Sequence, residues 1–338
     1  MRTGYAFLAA LSLSLTQCAS ANFYLTDKWV GEDFFEGWTW ETENDPTHGR
    51  VNYVGQAEAL MKNLSYADSD TFVMRADDWS IVDPSARGRD SVRISSQSAY
   101  DEAIFVLDLA HMPAGCATWP AFWSLSQQGP WPAGGEVDII EGVNLQGQNQ
   151  ATLHTTPNCT MPPDAQRQPQ SGTTLSTDCN TAVDNNSGCG VSFTASGPSY
   201  GSAFNMNGGG YYAMVKSRSL GIQVYFWPRD SIIVPPEIRD CGSGGGSLYP
   251  DYFSWGLPAA NFPMCSGYCD YDEHFNAHQM VFDLTFCGDW AGNTWPGSVC
   301  QTVTNDTCVN YVNNNPSSFS EAYWVVNSLR VYTPATSS

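Results

Sequence analysis

Positive charge is what this 338-residue chain has least of: 14 Lys and Arg stand against 34 Asp and Glu, a formal net charge of −20. Nucleic-acid binding depends on basic side chains that displace counterions from phosphate, so that class is excluded. An anionic membrane surface would repel the chain for the same reason. A neutral polymer such as a polysaccharide would be indifferent to it. Charge of either sign is scarce, at 14%, whereas apolar residues make up 42% and aromatics 13%. Disordered chains have the opposite balance, so a packed core is expected. Beyond the N-terminus no apolar run is long enough for a membrane-spanning helix, and no internal repeat or linker is visible. No G-x-G-x-x-G lies between a strand and a helix, which leaves the Gly/Ser run Cys241–Ser247 as a surface loop. Cys265 and Cys269 lie four apart, but no further Cys or His pair completes a zinc site.

What is present points to export. Residues 1–21 read as a secretory leader: Arg2, the short apolar run Ala6–Leu15, and the small-x-small site Ala19-Ser20-Ala21. No apolar tail suggests a lipid anchor at the other end. Of the 11 cysteines, Cys18 falls in the leader, which leaves ten, an even number that reads as disulfides in an oxidising compartment. Asn63, Asn158, Asn185 and Asn305 each start a glycosylation sequon. Residues 22–338 are read as a single domain, secreted and monomeric.

Strand signals dominate that domain. Ala103–Leu109, Gly221–Trp227, Met280–Phe286 and Ala322–Tyr332 are rich in β-branched and aromatic residues, with Gly, Pro, Asn and Asp at their ends. Long helical periodicity is missing. Many short strands at this length predict an all-β fold, a two-sheet jelly-roll sandwich, with the last strand paired inside a sheet.

The chemistry concentrates in Gly135-Glu136-Val137-Asp138-Ile139-Ile140-Glu141-Gly142. Strand side chains alternate between faces, so Glu136 and Asp138 share one face and Val137 and Ile139 the other. A regular strand would then send Glu141 into the core, where an unpaired charge is costly. One extra residue, a β-bulge, returns Glu141 to the acidic face. The two glutamate backbones would lie about 13 Å apart, and side chains leaning inward would close most of that gap. Carboxyls about 5 to 5.5 Å apart suit retaining glycoside hydrolysis. Asp138 between them tunes both, since three such close carboxylates cannot all ionise freely. The same three acids would also suit a calcium site or a solvated edge. Trp119, Trp123 and Trp131 crowd just upstream. Indoles beside carboxylates suit the C–H faces of sugars, although tryptophan is also a core residue, and Trp119 is the one expected in the core. Thr152-Leu153-His154-Thr155 reads as the neighbouring strand, with His154 beside the carboxylates.

These residues resemble glycoside hydrolase family 16, and within it the fungal laminarinase-like endo-β-1,3(4)-glucanases. The resemblance runs along almost the whole mature chain, through Asp45–Tyr53, His111–Pro113, Trp119–Trp123, Gly135–Asn144, Thr152–Thr155, Thr285–Gly292 and Tyr311–Pro316. It implies a jelly roll with a β-glucan cleft, Glu136 as nucleophile, Asp138 as its electrostatic assistant and Glu141 as general acid/base. It sets His154 beside the acid/base pair and makes Trp123, Trp131 and Trp255 line the sugar subsites. No cofactor is implied, and a structural calcium is compatible. The expected partner is a β-glucan such as laminarin or lichenan. A cell-wall transglycosylase would use the same carboxylates. A non-catalytic glucan lectin would keep the tryptophans but has no need of Glu136 and Glu141 together.

Overall fold

Alternating apolar residues build two sheets that share one core. In the computed structural model, which describes residues 22–239 and 250–335, the four anticipated strands run Ala103–His111, Gly221–Pro228, His278–Phe286 and Tyr323–Pro334. They outrun the sequence signals by a few residues because ladder pairing continues past the apolar stretch, as with His111 opposite Val325. The expected leader and the Cys241–Ser247 run lie outside the described residues.

One sheet, here the back sheet, orders Ala260–Phe262, Gly221–Pro228, Gly210–Ser217, Ala103–His111, Tyr323–Pro334, Phe72–Arg75 and Ser65–Ala67, with Phe23–Trp29 also paired to Tyr323–Pro334. The last long strand is thus interior to a sheet, as its composition predicted. The other, the site sheet, orders Thr173–Thr174, Cys189–Ser192, Gln150–His154, Glu136–Glu141, Thr118–Ser126, His278–Phe286, Arg93–Ser96 and Trp38–Trp40. All neighbours in both sheets are antiparallel. The architecture is a jelly-roll sandwich.

Strand period two decides what fills the middle. Ile222, Val224 and Phe226 of the back sheet and Phe122, Phe282, Val137 and Leu153 of the site sheet belong to one buried cluster. Each such side chain contributes about 1.5–3 kcal/mol by leaving water. The back sheet's outward residues are also apolar: Ile104, Val106, Tyr225 and Trp227 form a second cluster with Val234, Ile238, Tyr252 and Trp255 of the chain that crosses over them. The site sheet's outward face instead carries acids and indoles among its residues, and these form the site.

Among the described residues four disulfides join Cys116–Cys300, Cys159–Cys269, Cys179–Cys189 and Cys287–Cys308. Cys116–Cys300 closes 184 residues, a constraint worth about 5 kcal/mol in the chain-entropy picture. Cys265 has no partner among the described residues, and Cys241 is not one of them. Among the described residues no helix is long and apolar enough to cross a membrane; the longest α-helix is Cys308–Asn314, seven residues started by the Thr307 cap.

Candidate active site

Glu136–Glu141 runs antiparallel between Thr118–Ser126 and Gln150–His154. Asp138 faces Trp123 on one neighbour and Thr152 on the other. On the Thr118–Ser126 side the register resumes at Ile140 opposite Phe122, leaving Ile139 without a partner. On the His154 side it resumes at Glu141 opposite Gln150. This is a bulge of one residue, and it lets Ile139 and Ile140 both enter the core while Glu141 joins Glu136 and Asp138 outside. A bulge removes ladder hydrogen bonds, and buried backbone groups must find others. Asn149, fully buried, supplies them: its Oδ1 accepts from Glu141 N at 3.0 Å and its Nδ2 donates to the Ile139 carbonyl at 2.7 Å. Sequence reasoning missed Asn149, because an asparagine in the loop between two strands carries no signal of what it will cap. Gly142 follows the strand where a Cβ would meet the Tyr200 ring at 2.7 Å.

Each glutamate receives an indole N–H. Trp131 Nε1 donates to Glu136 Oε2 at 2.9 Å, and Trp119 Nε1 donates to Glu141 Oε1 at 2.8 Å. Trp119 therefore is not the core residue expected of it. Its strand position falls on the outward face, where it is half-buried, meets Trp290 edge-on at 5.8 Å and holds Glu141. Trp131 is 46% exposed, so its ring is open to a ligand. Trp123 donates from Nε1 to Asp283 Oδ2 at 3.3 Å, with the Arg93 guanidinium 5.1 Å from its ring centre. His154 Nε2 lies 3.4 Å from Asp138 Oδ2 and its Nδ1 lies 3.0 Å from Asn186 Oδ1.

Trp255 does not join this group. It is 4% exposed on the outward face of the opposite sheet, packed on Tyr225 and Trp227, with its Nε1 donating to Glu237 at 2.9 Å. The whole sandwich separates it from the carboxylates, so the subsite role expected of it is corrected to a structural one. The physical reason is the apolar outward face of the back sheet, which needs a cover.

Asp283 was not anticipated either. It is the one acid in the apolar strand His278–Phe286, 7% exposed, with Arg93 Nη1 3.8 Å away and Arg93 in turn bonded to Glu41 at 2.6 Å. A lone acid at an outward position of an apolar strand was the available signal.

Four carboxyls thus share one face, Asp138 and Asp283 buried and Glu136 and Glu141 partly so, and each is pushed toward its protonated form. Burial raises Glu136 to about 8, with the charge of Asp138 adding and His154 opposing. Burial raises Asp138 to about 8, with Asp283 adding. Burial raises Glu141 to about 8, with Asp138 adding and the Trp119 N–H and His154 opposing. Asp283 rises to about 7, burial again first, against the pull of Arg93. Such groups titrate as a unit: the first proton leaves most easily and each later one against charge already present. The face can therefore hold an ionised carboxylate beside a protonated one near neutral pH. Glu136, Asp138 and His154 also place ligand atoms within 4.8 Å of one another. Calcium takes six to eight oxygens, and a donor set with an imidazole nitrogen does not fit it.

The family description "XgeA-like, catalytic GH16 domain" matches residues 38–332. The chain is 40% identical over 319 residues to a "probable endo-1,3(4)-beta-glucanase" of Aspergillus fumigatus, covering 93% of this chain and 46% of that protein. It thus spans about half the length of the curated relatives it matches first. Among solved structures it is similar to GH16 laminarinase 16A of Phanerochaete chrysosporium bound to 6-O-glucosyl-laminaritriose, with 47% identity, a TM-score of 0.83, and 93% of this chain and 100% of that one covered. It is also similar to an elongating GH family 16 β-1,3-glucosyltransferase, with 36% identity, a TM-score of 0.81, and 92% and 100% covered.

Proposed function

The chain belongs to glycoside hydrolase family 16, and from that premise we propose that it is a retaining endo-β-1,3(4)-glucanase acting on β-1,3-linked and mixed-linkage glucans. The observation that carries the reading is the bulged strand, with Glu136 and Glu141 on one face, Asp138 between them and an indole N–H on each glutamate. Glu136, ionised, attacks the anomeric carbon. Glu141, protonated, gives its proton to the departing glycosidic oxygen, and a glycosyl–Glu136 ester remains. Glu141, now ionised, takes a proton from water as the water oxygen displaces Glu136, so two inversions return the original β configuration. Asp138 and His154 lie against Glu136 and modulate its charge. Trp123 and Trp131 offer ring faces to glucose units. The four disulfides and the expected leader support action outside the cell.

The test is to incubate the purified protein with laminarin, lichenan, carboxymethylcellulose and xylan, sizing the products and following their anomeric form by proton NMR. Short oligosaccharides from the first two, released as the β-anomer, are expected. Release as the α-anomer would sink the retaining mechanism. A second reading, transfer to a sugar acceptor in place of water, is favoured by the likeness to the elongating glucosyltransferase. Products longer than the starting chains would decide for it.

A further inference from the structure

We infer that His278 is a positioning residue for Glu136, acting through the Gly134–Gly135 turn from which the carboxylate strand starts. This rests on the reading of Glu136 as nucleophile. His278 lies two strands away and is fully buried. Its Nε2 lies 2.7 Å from the Gly134 carbonyl oxygen and its Nδ1 lies 3.0 Å from Ser124 Oγ. A carbonyl can only accept, so Nε2 carries the hydrogen, and in the neutral ring Nδ1 accepts from the Ser124 hydroxyl. Both nitrogens are thereby used, and the donor aimed at Gly134 has one orientation.

Backbone bonds close the turn around Gly135, whose N–H donates to the Pro132 carbonyl at 3.1 Å and whose carbonyl accepts from Ser126 N at 3.1 Å; the Gly134 carbonyl is the group His278 holds. Gly134 and Gly135 have φ of +79° and +81°, a region open to glycine but costly for other residues. Two such residues in succession swing the chain from Trp131 into Glu136, so the turn sets both the carboxylate and the indole that donates to it. A Cβ on Gly135 would lie 2.5 Å from the Phe275 ring, and one on Gly134 would lie 2.5 Å from Asn276 Nδ2 and Ser126 Oγ. The backbone is therefore pressed against residues 275–276. That segment is bolted in turn by Lys216, also fully buried, whose Nζ donates to the Asn276 carbonyl at 2.7 Å, the Asp101 carbonyl at 2.6 Å and Tyr271 Oη at 2.8 Å. Burial first and the Lys216 charge second push the imidazole well below its ordinary pKa. The neutral form, with its single N–H on Gly134, is the one the surroundings enforce. No sugar could touch His278; its effect on the reaction passes through where Glu136 stands.

The experiment separates this inference from the one beneath it. The probe is a 2,4-dinitrophenyl 2-deoxy-2-fluoro-β-laminaribioside. The Glu136 carboxylate oxygen bonds to C1, dinitrophenolate leaves with the bonding pair, and the fluorine slows the second displacement so that the ester persists. Wild type is expected to label on the Glu136 peptide. His278→Leu is expected to lower both the labelling rate and kcat by about 10- to 100-fold, the cost of a misplaced reacting group, with KM nearly unchanged. His278→Gln, which keeps an N–H at similar reach, is expected to regain most of that loss. A folded His278→Leu protein that labels at the wild-type rate overturns the inference while leaving the nucleophile intact. Wild-type label on another residue removes the nucleophile reading and this inference with it. If His278→Leu does not fold, Ser124→Ala removes the hydroxyl that fixes the ring with little change in volume. It is expected to lower kcat several-fold at constant KM, and a wild-type kcat there overturns the inference equally.

Discussion

The two outward faces of the sandwich use the same residue types for opposite ends. Over the back sheet Trp255 donates its indole N–H to Glu237 at 2.9 Å; at the site sheet Trp131 and Trp119 donate theirs to Glu136 and Glu141 at 2.9 and 2.8 Å. The pairs are alike in chemistry and distance. What differs is what lies above them. Trp255 belongs to the strap that seals an apolar face and is 4% exposed, whereas Trp131 stands open at 46%. An indole beside a carboxylate is therefore not a sugar site until the burial of both is known. The acids differ in the same way: Glu237 lies in a short helix, but Glu136 and Glu141 share a strand with Asp138, whose charge adds to burial in raising both.

The largest way to sharpen that contrast is at the carboxylates. Glu136→Ser should cut laminarin hydrolysis by more than about 10³-fold with glucan binding and thermal midpoint retained. Glu141→Ala should lose about 10²–10⁴-fold and regain part of it with azide, which attacks the glycosyl ester without a general base. Steady-state kinetics with and without azide checks both. Next come the tryptophans. Trp255→Ala empties a buried indole site and should cost about 3 kcal/mol or more, read as a fall in Tm, with kcat/KM unchanged. Trp119→Phe removes one N–H from Glu141 and should lower kcat by about tenfold or more at nearly constant Tm. The reverse pattern would break the division between the faces.

The last effect is thermodynamic. Glu141 has an ordinary pKa of 4.5 and is raised to about 8 in the folded protein. Between these values the unfolded chain gives up its proton and the folded one keeps it, so stability falls as pH rises through that window. Glu141→Gln escapes this loss. Its Tm should exceed that of wild type by an amount that grows toward pH 8 and vanishes below pH 4.5. A gap of constant size across that range would mean that burial of the carboxyl is not its cause.

Much of this was legible in the order of residues. Period two in Glu136–Glu141 put Val137 and Ile139 inward, and the cost of burying Glu141 demanded the bulge that the register shows. The long strands were visible because β-branched and aromatic runs end at turn residues. Trp119 and Trp255 were not, because tryptophan serves cores and clefts equally and a strand's two faces look alike until both sheets are placed. Asn149, Asp283 and His278 act across gaps of 8 to 160 residues, and no local pattern carries such distances.

The sequence by itself determined the β class, the acidic strand and its bulge, because side-chain alternation and the cost of burying charge are local rules. Only the tertiary structure decided which face is covered, which cysteines pair and which indole meets which carboxylate. Those outcomes depend on which distant segments share a layer, and packing, not local propensity, sets that.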